Sequence, residues 1–362
     1  MRRGLISWSE SEVPAATLEA RVAKLQAAMK TEKLDAVLAY TCFSQPATVS
    51  WLTHFVPYWN DGLIIVLPHG APVMLAAFSK RVQEWIREVS KLADVRTAPN
   101  LGKGTVTFLQ EHSTAFSGER PGRIGIIERD DFPFPALEPL IEAGWGESLI
   151  DATAFYASIR QPADDPEIAL TGRVAALAKK ALDALPKDAK RVSQLLPPIE
   201  ATARGDGAEE VLVRVAPDLT KSGVLCRIEE DAELGSRYAV QLSLAYKGVW
   251  TRAVRCFPEN AAAVSWLRES AAKLRASNAP GGPHGSAPGE LVQWTLEACL
   301  GNEPLSVTAH GGRNVSTSHG FKPRTLPVGA LAVLSAQLQT AQGPWHGSLP
   351  LVLGNSESRL LD

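Results

Sequence analysis

At 362 residues, with 45% hydrophobic and 21% charged content, the chain has the composition of a folded protein with room for two cores, which excludes a disordered or fibrous polymer. A formal net charge of −2 with no Lys/Arg stripe removes the electrostatic reason to expect nucleic acid as a partner. The basic start, Met1-Arg-Arg, meets Ser9 and Glu10 before any apolar core develops, and no later run reaches membrane-spanning length, so a cytoplasmic protein without a membrane partner is expected.

The first half alternates helix and strand. Leu18, Val22, Leu25 and Met29 recur at helical spacing, and Leu34-Asp-Ala-Val-Leu-Ala-Tyr40 then reads as a buried strand. Gly62 to Leu67 and Pro72 to Ala77 read as a hairpin across Pro68-His-Gly70, with Ser79 capping a helix to about Ser90. Gly122 to Ile127 is a further strand, and a helix begins near Pro135. These elements complete an α/β layer domain over residues 1–157.

Pro and charge cluster over 158–166, which reads as a linker before a second domain at 167–362. Asp165-Pro166-Glu167 offers a capping acid, a Pro at the first helical position and an acid in the first turn of a helix to about Leu185. A second helical segment is broken or begun at Pro197-Pro198, a strand follows over Glu210 to Ala216, and helices are expected over Asn260 to Ser277 and Pro288 to Leu300. From Ser306 the tail is strand-like. The four cysteines, Cys42, Cys226, Cys256 and Cys299, form no CxxC pair and read as reduced, mostly buried thiols.

The organising stretch is Gly235 to Phe257. Tyr238 to Leu244 and Val249 to Phe257 are rich in β-branched and aromatic residues, and Ala245-Tyr-Lys-Gly248 supplies the glycine of a tight reversal, so a buried hairpin at a sheet centre is predicted. Leu34-Asp-Ala-Val with Val49-Ser-Trp-Leu-Thr-His-Phe, then Leu149-Ile-Asp-Ala-Thr, Pro166-Glu-Ile-Ala-Leu, and Gly235, Tyr246, Gly248 and Arg255 in one ungapped register occur in the order of a known family. From Arg21 to the C-terminus the chain resembles the creatinase, aminopeptidase P and prolidase family. The resemblance implies an α/β N-terminal domain followed by an α+β catalytic domain of the pita-bread fold, and a homodimer.

Active peptidases of that family hold two metal ions with two Asp, one His and two Glu. In the register of the hairpin the first Asp position is Gln241 and the second is Arg252. His310 in His310-Gly-Gly resembles the His ligand, and His319 a second, substrate-facing His. Between Glu303 and Glu357 the sequence contains no Asp or Glu, so Ser335 or Ala336 replaces the first Glu, and a residue within Ser348 to Leu351 the second. A guanidinium repels the cation whose ligand it replaces, so no metal and no other cofactor is expected. Creatinase, within the same family, implies one alternative: metal-free C–N hydrolysis with His310 and His319 as acid/base groups, while Arg252, Arg255 and Gln241 hold a small, anionic, carboxylate-bearing substrate. The other is a non-catalytic pseudo-peptidase kept for ligand binding or assembly. An open polar cavity would favour a ligand site; closure by Trp250, Leu242 and Leu334 would remove it.

Lesser possibilities are Cys256 or Ser335 as a nucleophile beside His310, and Arg252 in a salt bridge to Asp231 or Glu233. His284 sits in a Gly/Pro loop and reads as solvated, and Gly311-Gly-Arg313 is too short for a phosphate cradle. Trp51, Trp59 and Trp85 read as core or dimer surface, and His54 and Tyr58 as residues able to reach a partner subunit.

Overall fold

The computed structural model describes residues 7–57, 59, 61–77, 79–116, 118, 120–227, 230–276, 282–299, 301, 306–313 and 324–362. They fall into two compact units, Ile6–Arg160 and Gln161–Asp362.

The first unit runs α1 (Ala15–Glu32), β1 (Ala36–Thr41), α2 (Ala47–Thr53), β2 (Gly62–Val66), β3 (Val73–Ala76), α3 (Lys80–Val89), β4 (Asp94–Thr97), α4 (Leu101–Glu111), β5 (Ile124–Ile127), α5 (Phe134–Leu140), β6 (Leu149–Asp151) and α6 (Thr153–Arg160). Its six strands form one mixed sheet in the order β4-β3-β2-β1-β5-β6. The expected hairpin is present as the antiparallel β2–β3 pair. Strand alternation divides the sheet's apolar side chains between two cores. Val37 and Ala39 join Leu25 and Met29 of α1 and Trp51 and Leu52 of α2, while Ala36 and Leu38 join Phe108 of α4 and Leu140 of α5.

The second unit begins with α7 (Asp165–Asp183), whose cap is Asp164, one residue before the expected position: its carboxylate accepts the Glu167 N–H at 3.0 Å. It continues through α8 (Leu196–Gly205), β7 (Glu210–Ala216), β8 (Cys226–Arg227), β9 (Tyr238–Tyr246), β10 (Val249–Phe257), α9 (Ala261–Lys273), β11 (Gly289–Ala298), β12 (Ser306–Gly311), β13 (Leu331–Thr340), β14 (Gly343–Val352) and β15 (Arg359–Leu360). One antiparallel sheet has the order β10-β9-β7-β8, the other β12-β11-β13-β14-β15. The predicted hairpin is β9–β10, and β9, buried along its whole length, is a central strand. Its loop is the two residues Lys247 and Gly248, with φ of 51° and 80°, the left-handed pair that matches the twist of antiparallel strands. At the hairpin's entrance a Cβ on Gly235 would lie 2.5 Å from the Asp218 carboxyl carbon, so any larger residue there would have to displace the Asp218 side chain.

Two expectations need correction. Where a helix is expected over 288–300, Gly289–Ala298 is the strand β11, hydrogen-bonded on one side to β12 and on the other to β13. Ladders along both edges outweigh the segment's helical side-chain spacing. The thiols are also less buried than expected, with Cys256 and Cys299 buried, Cys42 intermediate and Cys226 exposed. No described helix is long and apolar enough to cross a membrane.

Candidate functional site

The site is built where the β9–β10 hairpin faces the five-stranded sheet. Across the hairpin, Gln241 pairs with Val254 and Ser243 with Arg252, so alternation turns these four side chains to one face. On β11 the same periodicity turns Gln293, Thr295 and Glu297 to one side, whereas the expected helix would have turned Thr295 away from the other two. A cross-strand row then runs from His310 on β12 through Thr295 on β11 and Ser335 on β13 to Ser348 on β14. The two sheets meet where β10 and β14 touch: the Ser348 hydroxyl donates to the Arg252 carbonyl at 3.3 Å, and the His346 N–H donates to Cys256 Sγ at 3.1 Å.

The central contact is an ion pair. Arg252 Nη1 donates to both carboxylate oxygens of Glu297, at 2.7 and 2.6 Å, and Nε reaches Ser243 Oγ at 3.4 Å. Arg252 is 9% and Glu297 4% exposed, so each charge is largely withdrawn from water and compensated by the other. Neither acid named from sequence is the partner; Asp231 binds Arg191 at 2.6 Å, and Glu233 also lies beside Arg191.

Around this pair is a cleft of about 450 Å³, lined among others by Gln241, Arg252, Thr295, Ser335, Gln337 and His346. It is open: Trp250, Leu242 and Leu334 are buried and absent from its lining. Ser335 Oγ is buried without a hydrogen-bond partner. His346 Nε2 stands against the backbone of Gly223, where an added Cβ would come within 3.2 Å of it and 3.1 Å of Gln337 Nε2. Desolvation pushes the His346 imidazole down to about 4, with the Gly223 backbone opposing the shift, so the ring is neutral at pH 7.

The sequence-predicted residues separate in space. Gln241 and Arg252 line the cleft, and His310 occupies the row beside Thr295. Arg255 ion-pairs with Asp183 of α7 at 2.5 Å and lines a different cavity, of about 170 Å³. His319 and Tyr58 lie outside the described residues. Cys256 is held between the backbone groups of His346, and burial pushes its thiol up to about 11, the opposite of what a nucleophile requires. His284 is exposed, Trp59 stacks on Trp85, and His54 is buried at the end of α2. Sequence reasoning missed Glu297, Thr295 and Gln293 through the helix assignment of β11. It also missed His346 and Gln337, although the alternation of β13 and β14 marks both as facing the same side as Ser335.

Among the described residues, the donor set does not fit a pair of divalent cations. Such ions need anionic oxygen, and here the hairpin presents a neutral amide and a guanidinium whose carboxylate partner has both oxygens engaged. Among the described residues, no group of three or more His, Cys, Asp or Glu is placed to hold a metal ion.

Residues 21–161 match the Creatinase/Prolidase N-terminal domain. None of the curated proteins matches the chain in sequence. Among solved structures, the prolidase from Pyrococcus horikoshii is similar at a TM-score of 0.67 and 13% identity, over 94% of this chain and 97% of its own. The X-Pro aminopeptidase from Thermotoga maritima is similar at 0.65 and 13%, over 94% and 96%. The dipeptidase PepE from Mycobacterium ulcerans is similar at 0.64 and 14%, over 96% of both chains.

Proposed function

We propose, for a chain whose residues 21–161 match the creatinase/prolidase N-terminal domain and whose fold resembles that of prolidases and X-Pro aminopeptidases, with a pita-bread C-terminal unit, that this C-terminal unit is peptidase-like but holds a small molecule in the hairpin cleft without two-metal chemistry. The observation that supports this most directly is the Arg252–Glu297 ion pair. In the register of the resemblance Arg252 stands at the hairpin position where the peptidases carry a metal-binding acid, and the nearby Glu297 carboxylate neutralises that cation. The cleft around it has stayed open and polar, which suits binding better than a merely vestigial core.

The metal-free hydrolase remains the weaker reading. It requires Arg252 to exchange Glu297 for a substrate carboxylate, and that exchange would strand a buried anion. The deciding experiment is metal analysis and peptidase assay of the full-length protein. After incubation with Mn(II) or Co(II) and desalting, bound metal should be substoichiometric and alanyl-proline should release no proline. Stoichiometric metal together with proline release would overturn the proposal.

A further inference from the structure

We infer that the cleft takes an uncharged ligand carrying amide-type hydrogen-bond donors and acceptors; this rests on the ligand-binding reading above and narrows it to a chemical class. The first support is charge. Among the described residues that line the cleft, Arg252 is the only Lys, Arg, Asp or Glu, and its guanidinium is already matched by Glu297 at 2.6 Å. The anionic substrate expected from an unpaired Arg252 therefore loses its attractor. A charged ligand would surrender its hydration and find no counter-charge, whereas an uncharged one surrenders far less.

The second support is the kind of polar group presented. Gln241, Gln293 and Gln337 bring three carboxamides to the lining, and Thr295 and Ser335 bring two hydroxyls. A carboxamide offers a donor and an acceptor side by side, the complement of another amide. One of the cleft's polar atoms, Ser335 Oγ, lacks a partner within the protein despite being buried. Buried polar atoms are ordinarily satisfied, so it marks a place where a bound molecule completes the bonding. Val224, Leu225 and Trp294 supply apolar wall between the polar groups. The volume of about 450 Å³ is that of a small-molecule site.

Three probes that differ only in end charge test this: N-acetyl-L-alanyl-L-alaninamide, which is uncharged; N-acetyl-L-alanyl-L-alanine, an anion; and L-alanyl-L-alaninamide, a cation. Binding is followed by saturation-transfer NMR on the full-length protein at pH 7. The uncharged probe should bind about tenfold more tightly than either charged one, and Ser335→Leu should abolish its signal while the far-UV spectrum stays unchanged. Glu297→Gln should shift preference to the anion and Arg252→Gln to the cation, while Arg252→Gln with Glu297→Gln restores the uncharged preference. Should the single variants fail to fold, the wild type, the double variant and Ser335→Leu still decide the matter. A charged probe that equals or exceeds the uncharged one on the wild type, or saturation transfer from none of the three, overturns the inference. Neither result touches the metal and proline-release assays, so the loss of peptidase chemistry stands or falls separately.

Discussion

The β9–β10 hairpin is served by two buried carboxylates, and they are used in opposite ways. At the turn, Glu209, 1% exposed, accepts the backbone N–H groups of Lys247 and Gly248 at 2.5 and 2.6 Å. Halfway along, Glu297, 4% exposed, accepts from the Arg252 guanidinium with both of its carboxylate oxygens. The first carboxylate fixes a backbone shape that any antiparallel hairpin with this loop needs. The second neutralises a charge in an open cleft, where no backbone requirement calls for it. Two buried acids thus separate a hairpin end braced at its backbone from a middle that borders the cleft, and the difference lies in what each one faces.

The largest test of that contrast is Glu297→Ala. It strands the Arg252 guanidinium in a buried site, and removal of one partner of such a pair costs about 3–5 kcal/mol. Replacing both residues, as Arg252→Met with Glu297→Leu, should recover most of that loss, because packed apolar side chains have no desolvation penalty. Urea titrations of the two variants and the wild type measure it. If the single and double variants are equally unstable, the pair is packing material and the contrast fails.

A somewhat smaller effect is expected from His346, which lines the same cleft. Its folded pKa of about 4 lies below the ordinary histidine value, so the unfolded chain takes up the proton first as pH falls. The stabilisation is therefore complete above about pH 6.5, declines as pH drops through that value, and is gone below about pH 4. At 1.36 kcal/mol per pH unit the full swing is about 3 kcal/mol. The difference between wild type and His346→Gln isolates it, since acids that titrate in the same window cancel. The wild type should lose about 3 kcal/mol more than the variant between pH 7.5 and pH 4. Equal losses would mean that the imidazole is solvated, with the cleft wetter than its geometry implies.

The two halves of the contrast were also unequally legible in the sequence. The turn end could be read because its signals are local: β-branched and aromatic strands, a glycine where φ must be positive, and a partner strand immediately adjacent. The same locality made β7 legible over Glu210–Ala216. The cleft end was obscured at β11, where Pro288 stands at a plausible helix start and Leu291, Trp294 and Ala298 recur at helical spacing. What makes this segment a strand is pairing with β13, whose residues begin at Leu331, beyond the reach of any local window. Once it was read as a helix, Glu297 had no route to Arg252, and acids nearer the hairpin in sequence, Asp231 and Glu233, stood in its place. His310 illustrates the complement: the motif was recognisable, but its position in the row beside Thr295 emerges only when β12 is laid against β11.

The smallest effect belongs to the turn itself. Glu209→Gln keeps the shape of the side chain but loses the charge that strengthens its two backbone bonds, and one of the amide's ends is a donor facing donors. Hydrogen bonds to a charged group contribute about 1.5–3 kcal/mol, and part of that survives through the remaining carbonyl, so a loss of about 2 kcal/mol is expected. The cleft should not register the change. Binding of the uncharged dipeptide amide by Glu209→Gln should match the wild type under conditions where both are folded, whereas Glu297→Gln should alter its charge preference. A turn variant that changed ligand preference would show that the hairpin's two carboxylates act on one site and would erase the distinction between them.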